Sequence, residues 1–291
     1  MRRFAPTLAI LLLSLAARSA SAESVTLTDP KGDDKGPGTY VYPTDPVYKP
    51  GSFDLTELTI EDTGTEIRVS ASFAVAVEDP WRSKEWQGNG FSLQMVFLFI
   101  DTDHKPGSGH KEAAPGLNVR FVEASRWEKC LILSPQPNRR LESEIASKAK
   151  ALSADLVLPK KVRVQGRKII ATYDKAAIGA PAPGWGYQAI VQSNEGFPSK
   201  GDLLTRPVNE MKGQHRFGGG NDYSCDPHVI DMLAGQGSGA ASETPTSPKE
   251  TGPIRSTDAL QRLSEGTVIE TVLINRLNGS FAGPVECLVT T

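Results

Sequence analysis

EIRVSASFAVAV, residues Glu66–Val77, sets Ile67, Val69, Ala71, Phe73, Val75 and Val77 on one side of an extended chain. Side chains alternate across a strand, so a run of period two with one apolar face reads as a half-buried β-strand. FSLQMVFLFI, residues Phe91–Ile100, begins with the same alternation and ends as a solid apolar run, the pattern of a central strand buried on both faces. Further strands are expected over Leu55–Glu61, Leu117–Val122, Glu128–Ser134, Lys161–Gln165, Lys168–Tyr173 and Tyr187–Gln192. The turns Asp62-Thr63-Gly64 and Gln165-Gly166-Arg167 separate neighbours at hairpin distance. Only Asn138–Leu152 has helical composition without Gly or Pro. The expected fold is all-β: an antiparallel β-sandwich, jelly-roll-like, with one inserted helix. A chain of βαβ units would need helical patterns between most strands.

The composition agrees with that class. The chain has 291 residues, 38% hydrophobic and 23% charged, with 27 Gly and 21 Pro. These values exclude a disordered, collagenous or polytopic membrane chain, and turn formers at this density suit many short strands. A net charge of −2 gives no electrostatic reason to expect a nucleic-acid partner.

Residues 1–22 read as a secretory signal peptide. Arg2 and Arg3 supply the positive start, Leu8–Leu15 the apolar run and Ala20-Ser21-Ala22 the cleavage site, which places the mature start at Glu23. The apolar run is too short to cross a bilayer of roughly 30 Å, so no transmembrane segment is expected after cleavage. Export makes the chain periplasmic, extracellular or cell-surface associated and permits disulfides. Of Cys130, Cys225 and Cys287, the first two lie in the main domain and can bond if their segments are neighbours; two buried, unpaired thiols are the alternative. The domain itself is expected over residues 23–233. Residues 234–258, rich in Gly, Ser, Thr and Pro, read as a flexible linker. Residues 259–291 have strand character but are too few to fold alone.

Three segments carry candidate chemistry. Asp29, Asp33 and Asp34 crowd a Gly/Pro loop that runs on to Tyr40, Tyr42 and Asp45, and such a loop can converge on a hard cation such as calcium; a solvated acidic turn is the alternative. In the second segment, Asp101, Asp103 and Glu112 occupy positions 1, 3 and 12 of an EF-hand count, but Lys105 and Pro106 break that motif and a strand precedes it. It is a strand-end acidic loop that a metal can hold together. The third feature is aromatic. Trp81 and Trp86 in the turn-rich segment Asp79–Gly90, with Tyr40 and Tyr42, can stack on sugar rings or cap the ends of the core. Catalytic templates are missing: no G-x-S-x-G, H-E-x-x-H or Walker A loop occurs, and His104, His110, His215 and His228 show no compact metal spacing. A glycoside hydrolase would need two carboxylates facing across a cleft, which sequence does not reveal.

The opening DPKGDDKGPGTYVYPTDPVYKPGSFDLTELTI (Asp29–Ile60), the middle FSLQMVFLFIDTD and APGLNVRF, and the closing FGGGNDYSCDPHVIDML (Phe217–Leu233) together resemble the C-terminal module of glucodextranase-like proteins, over about residues 24–233. The resemblance implies a β-sandwich related to carbohydrate-binding and surface-attachment domains, without catalytic residues of its own. It places Asp29, Asp33, Asp34, Asp45 and Asp54 on the family's acidic pattern; a calcium role for them follows from ligand chemistry. Cys225 and His228 depart from the closing motif. Leu263–Thr291 is similar to the start of the TrbI-type channel domain of type IV secretion; that domain is much longer, so this part is expected to be an incomplete, poorly ordered fragment. The implied function is secreted, non-catalytic binding of an α-glucan or cell-surface polysaccharide, stabilised by calcium. An envelope or secretion-assembly protein partner is one alternative, and a glycoside hydrolase or an accessory to one is another.

Overall fold

β3 (Glu66–Phe73) takes the form its alternation demands, with Ile67, Val69, Ala71 and Phe73 buried while Glu66, Arg68 and Ser70 face outward. It ends at Phe73 instead of reaching Val77. The Ala74 N–H donates to the Asp54 carbonyl at 2.8 Å and the Val77 N–H to Gly166 at 3.0 Å, which draws the chain off the ladder. The computed structural model describes residues 24–220 and 226–234, together with short strands at 271–273 and 287–289. The expected signal peptide, all but residue 234 of the expected linker, Cys225 and most of the tail lie outside the described residues, so the expectation of a poorly ordered tail falls there too.

Two five-stranded sheets pack face to face. The first has the order β1 (Ser24–Thr28), β2 (Leu55–Asp62), β3, β8 (Lys168–Asp174), β7 (Lys161–Gln165), antiparallel throughout. The second has the order β10 (Asp231–Ala234), β9 (Gly186–Ser193), β4 (Gln94–Asp101), β5 (Lys129–Leu133), β6 (Leu156–Val157), antiparallel except for the short parallel pair β5–β6. The expected β-sandwich is what forms. The tail strands β11 (Thr271–Leu273) and β12 (Cys287–Val289) pair with each other.

β4 is buried along its whole length, as its apolar run requires. Val96, Leu98 and Ile100 fill the space between the sheets with Leu58, Val69 and Ile169. Met95, Phe97 and Phe99 point the other way, into a second core closed by α1 (Asn138–Lys148) and the loops around Phe121, Trp127 and Leu203. The sandwich is therefore three layers deep on one side. α1 and the 3₁₀ turn that follows it (Lys150–Leu152) lie where a helix is expected, and a four-residue helix, α2 (Lys175–Ile178), follows β8. Leu117–Val122 is not a strand. Asn118 takes a left-handed φ of 56°, which breaks an extended run, and Leu117, Val119 and Phe121 still turn their side chains into the second core. Among the described residues, no helix is long and apolar enough to cross a membrane.

Candidate functional site

The opening loop brings acidic groups to one corner of the sandwich. Asp29 follows edge strand β1, Asp33 lies in the turn beyond it, and Asp231 starts β10, the edge strand of the second sheet. One carboxylate oxygen from each of these three lies within 4.8 Å of the other two. Asp54, just before β2, is 3% exposed; its Oδ2 accepts from the Gly32 N–H at 2.7 Å, while its Oδ1 is buried and accepts no hydrogen bond. The Oδ2 of Asp29 is orphaned in the same way. Asp231 is 3% exposed and caps backbone, its oxygens accepting from Leu55 N at 2.6 Å and Met232 N at 2.7 Å. The loop is docked by the Gly36 N–H, which donates to the Ile230 carbonyl at 2.7 Å, and by the Tyr40 hydroxyl, which donates to the Pro227 carbonyl.

The electrostatics follow from this crowding. Desolvation pushes the Asp29 carboxyl up to about 7, with the charges of Asp33 and Asp54 adding to it. Desolvation also lifts Asp231 to about 8, and Asp29 and Asp33 raise it further against the pull of its two N–H donors. Asp54 is raised by burial first, with Asp34 and Asp33 contributing.

Not every residue expected in this group joins it. Asp34 is buried but turns to the Tyr42 hydroxyl, which donates to it. Asp45 is a correction: half-buried in a separate turn, it accepts from Val47 N and Gln214 Nε2, each at 3.1 Å. Asp231 is the member sequence reasoning missed. Its only local sign is an acidic residue opening the alternating run DMLA, about 200 residues from its partners.

The second acidic loop also gathers, with a different third member. Asp101, Asp103 and Glu128 place carboxylate oxygens within 4.8 Å of one another. The Thr102 N–H donates to Glu128 Oε2 at 2.9 Å, and Ser108 Oγ donates to Asp103 and to Glu128 at 3.0 and 3.1 Å. His104 Nδ1 stands 3.3 Å from Asp101 Oδ2. Glu112, expected from the EF-hand count, is carried off by bridges of His110 to Trp127 and of Glu112 to Arg120. Chain reversal at those bridges delivers Glu128 in its place.

The aromatic candidates divide sharply. Tyr40 is a correction, because its ring is 4% exposed in the main core and offers no face to a sugar. Tyr42 is half-buried, with its ring 4.8 Å from Phe217 and its hydroxyl on Asp34. Trp81 is wedged among Tyr48, His215 and the Arg206 guanidinium at 5.7–6.1 Å. Trp86 is half-exposed, its Nε1 donating to the Trp81 carbonyl at 3.1 Å. The most open ring among the described residues is one sequence reasoning passed over: Phe197, 93% exposed in the loop after β9. Its sign in the sequence is an aromatic set between Gly196 and Pro198.

Asn89 Nδ2 donates to the carbonyls of Ser134 and Gln136, Gln136 Nε2 donates to Asn194 Oδ1 at 3.1 Å, and Arg140 reaches the Gly196 carbonyl at 3.4 Å. The segment from Ser134 to Arg140 thus links the turn after Trp86 to the loop that carries Phe197, and these pieces form one rim. A shallow hollow of about 390 Å³ beside Phe197 is lined by Arg140, Ser143, Ser147 and Lys148.

A family model for the C-terminal, SLH-like binding module of glucodextranase matches residues 25–244. The chain belongs to that family. No curated protein matches it. The match runs from the start of β1 through β10, so the module includes both sheets, both acidic groups and the aromatic rim. Among the described residues, Cys130 of the module is a buried free thiol, raised well above the usual cysteine range by burial, and its candidate partner Cys225 lies outside them.

Proposed function

We propose that this protein is a non-catalytic module that binds an α-glucan or a cell-surface polysaccharide outside the cell. The observation that carries the reading is the family match, to a binding module of a glucan-acting enzyme, across a complete two-sheet sandwich. The rim described above supplies what a sugar chain needs: the exposed Phe197 and half-exposed Trp86 as stacking faces, with Arg140, Ser143 and Ser147 as hydrogen-bonding groups beside them. The non-catalytic part rests on the family description.

Affinity electrophoresis of the purified protein in gels containing starch, dextran, pullulan or extracted cell-wall polysaccharide tests this. Retardation is expected in at least one gel. Trp86→Ala and Phe197→Ala should each weaken it roughly 2–10-fold, the range of an aromatic contact, while Ser70→Ala on the opposite sheet leaves it unchanged. Folded protein that migrates freely in every gel would defeat the reading. Retardation that neither aromatic variant alters would move the site off the rim.

A further inference from the structure

Carboxylates crowded without a counter-charge are costly to fold around. Among the described residues, none of Asp29, Asp33, Asp54 and Asp231 forms an ion pair, though the same protein pairs many of its other acids with Lys or Arg. The buried oxygens Asp54 Oδ1 and Asp29 Oδ2 also accept no hydrogen bond, which leaves their lone pairs available to a cation. We propose that Asp29, Asp33 and Asp231, backed by Asp54, hold one calcium ion that clasps the edge of the first sheet to the edge of the second.

The spacing suits calcium. Oxygens lying 2.3–2.6 Å from a common ion are at most about 5 Å apart, and the three carboxylate oxygens lie within 4.8 Å of one another. Magnesium demands near-ideal octahedral geometry at 2.0–2.1 Å and gives up its water reluctantly, whereas calcium accepts an irregular set of carboxylates drawn from separate segments. The donors are all oxygen, with no imidazole or thiolate to favour zinc or copper. The ligands belong to three parts of the chain: the end of β1 and the turn after it, the approach to β2, and the start of β10. An ion there adds a link between segments already joined by core packing and by hydrogen bonds such as Gly36 to Ile230.

The test uses the full chain, stripped with a chelator and verified metal-free by elemental analysis, then titrated with calcium chloride by calorimetry and followed by thermal unfolding. Wild type should take up calcium, and at a hundredfold excess over Kd its Tm should rise by about 5–10 °C. Magnesium at the same concentration should raise it far less. Asp33→Asn should weaken calcium binding at least tenfold, and Asp29→Asn with Asp33→Asn should remove one calcium per chain. Asp33 is exposed, so its variant is expected to fold; circular dichroism checks this. Asp45→Ala, in the separate turn, should behave as wild type. The proposal fails if metal-free wild type takes up no calcium. It fails equally if the double variant keeps the full calcium stoichiometry, or if magnesium matches calcium in effect.

Discussion

His228 is the residue whose chemistry the fold constrains most simply. It is half-buried, its Nδ1 accepts the Val208 N–H at 3.2 Å, and desolvation holds its pKa below 6.5 although Asp202 and Asp226 pull the other way and Arg216 reinforces the drop. In the unfolded chain the imidazole takes a proton as pH falls through about 6.5, whereas the folded one does not until lower pH. Its stabilising effect is therefore present above pH 6.5 and lost as pH falls below it. Protonation would also remove the lone pair that Val208 uses. Relative to His228→Asn, which keeps an acceptor but does not titrate, wild-type Tm should thus fall between pH 7.5 and 5.5, while Asp29 and Asp231, raised in the fold, push both proteins the opposite way. Equal changes in the two proteins would show that the histidine is not the group responsible. Residues of this kind also mark where reading the sequence stops. Asp29 and Asp33 stand out because turn residues surround them, and Asp54 through the family resemblance, while Asp231 joins them only through sheet pairing. Tyr40 reads as a stacking candidate and Phe197 passes unnoticed for one reason: whether a loop aromatic is covered depends on distant segments, as where the Tyr40 hydroxyl reaches the Pro227 carbonyl.

Strands were easier to read than loops, because alternation is a local signal and burial obeys it. β3, β7 and β8 sit within a residue or so of their expected limits apart from the lost end of β3. Leu117–Val122 showed the same alternation and made no strand, since the left-handed Asn118 lets alternate side chains reach the core from a loop. β4 makes a sharper claim. Phe97 and Leu98 point to opposite faces, and both are fully buried, because α1 and its loops cover the side of the second sheet that the first sheet does not. Phe97→Ala should cost about 3–5 kcal/mol and Leu98→Ala about 2–5 kcal/mol, the range for emptying a packed core site. On β3 the neighbouring positions should differ: Val69→Ala destabilises, while Ser70→Ala on the open face changes stability by less than about 0.5 kcal/mol. Urea unfolding of the four variants measures this. A tolerant Phe97 would mean the helix-and-loop layer is loosely attached.

Across the whole molecule, the last sandwich strand matters more than its four residues suggest. β10 pairs with β9 in register from Asp231 opposite Val191 to Ala234 opposite Gln188, and it closes the edge of the second sheet. Ile230 and Leu233 are fully buried in the main core, and Asp231 holds the Leu55 N–H at the entrance to β2. The tail strands β11 and β12 form a ladder only with each other among the described residues, and the family match stops at residue 244. Two truncations should therefore separate. A chain stopped after Thr244 retains every described contact of the sandwich, and its Tm should lie within about 1 °C of the full chain. A chain stopped after Gly220 loses Ile230 and Leu233, each worth about 2–5 kcal/mol in a packed core, and also uncovers β9. That loss approaches the 5–15 kcal/mol by which whole domains are stable, so the shorter chain should be unfolded or insoluble. If stopping at Thr244 lowers Tm by many degrees, the tail is part of the fold. If stopping at Gly220 leaves a cooperative transition near that of the full chain, β10 is not the closing strand of the sandwich.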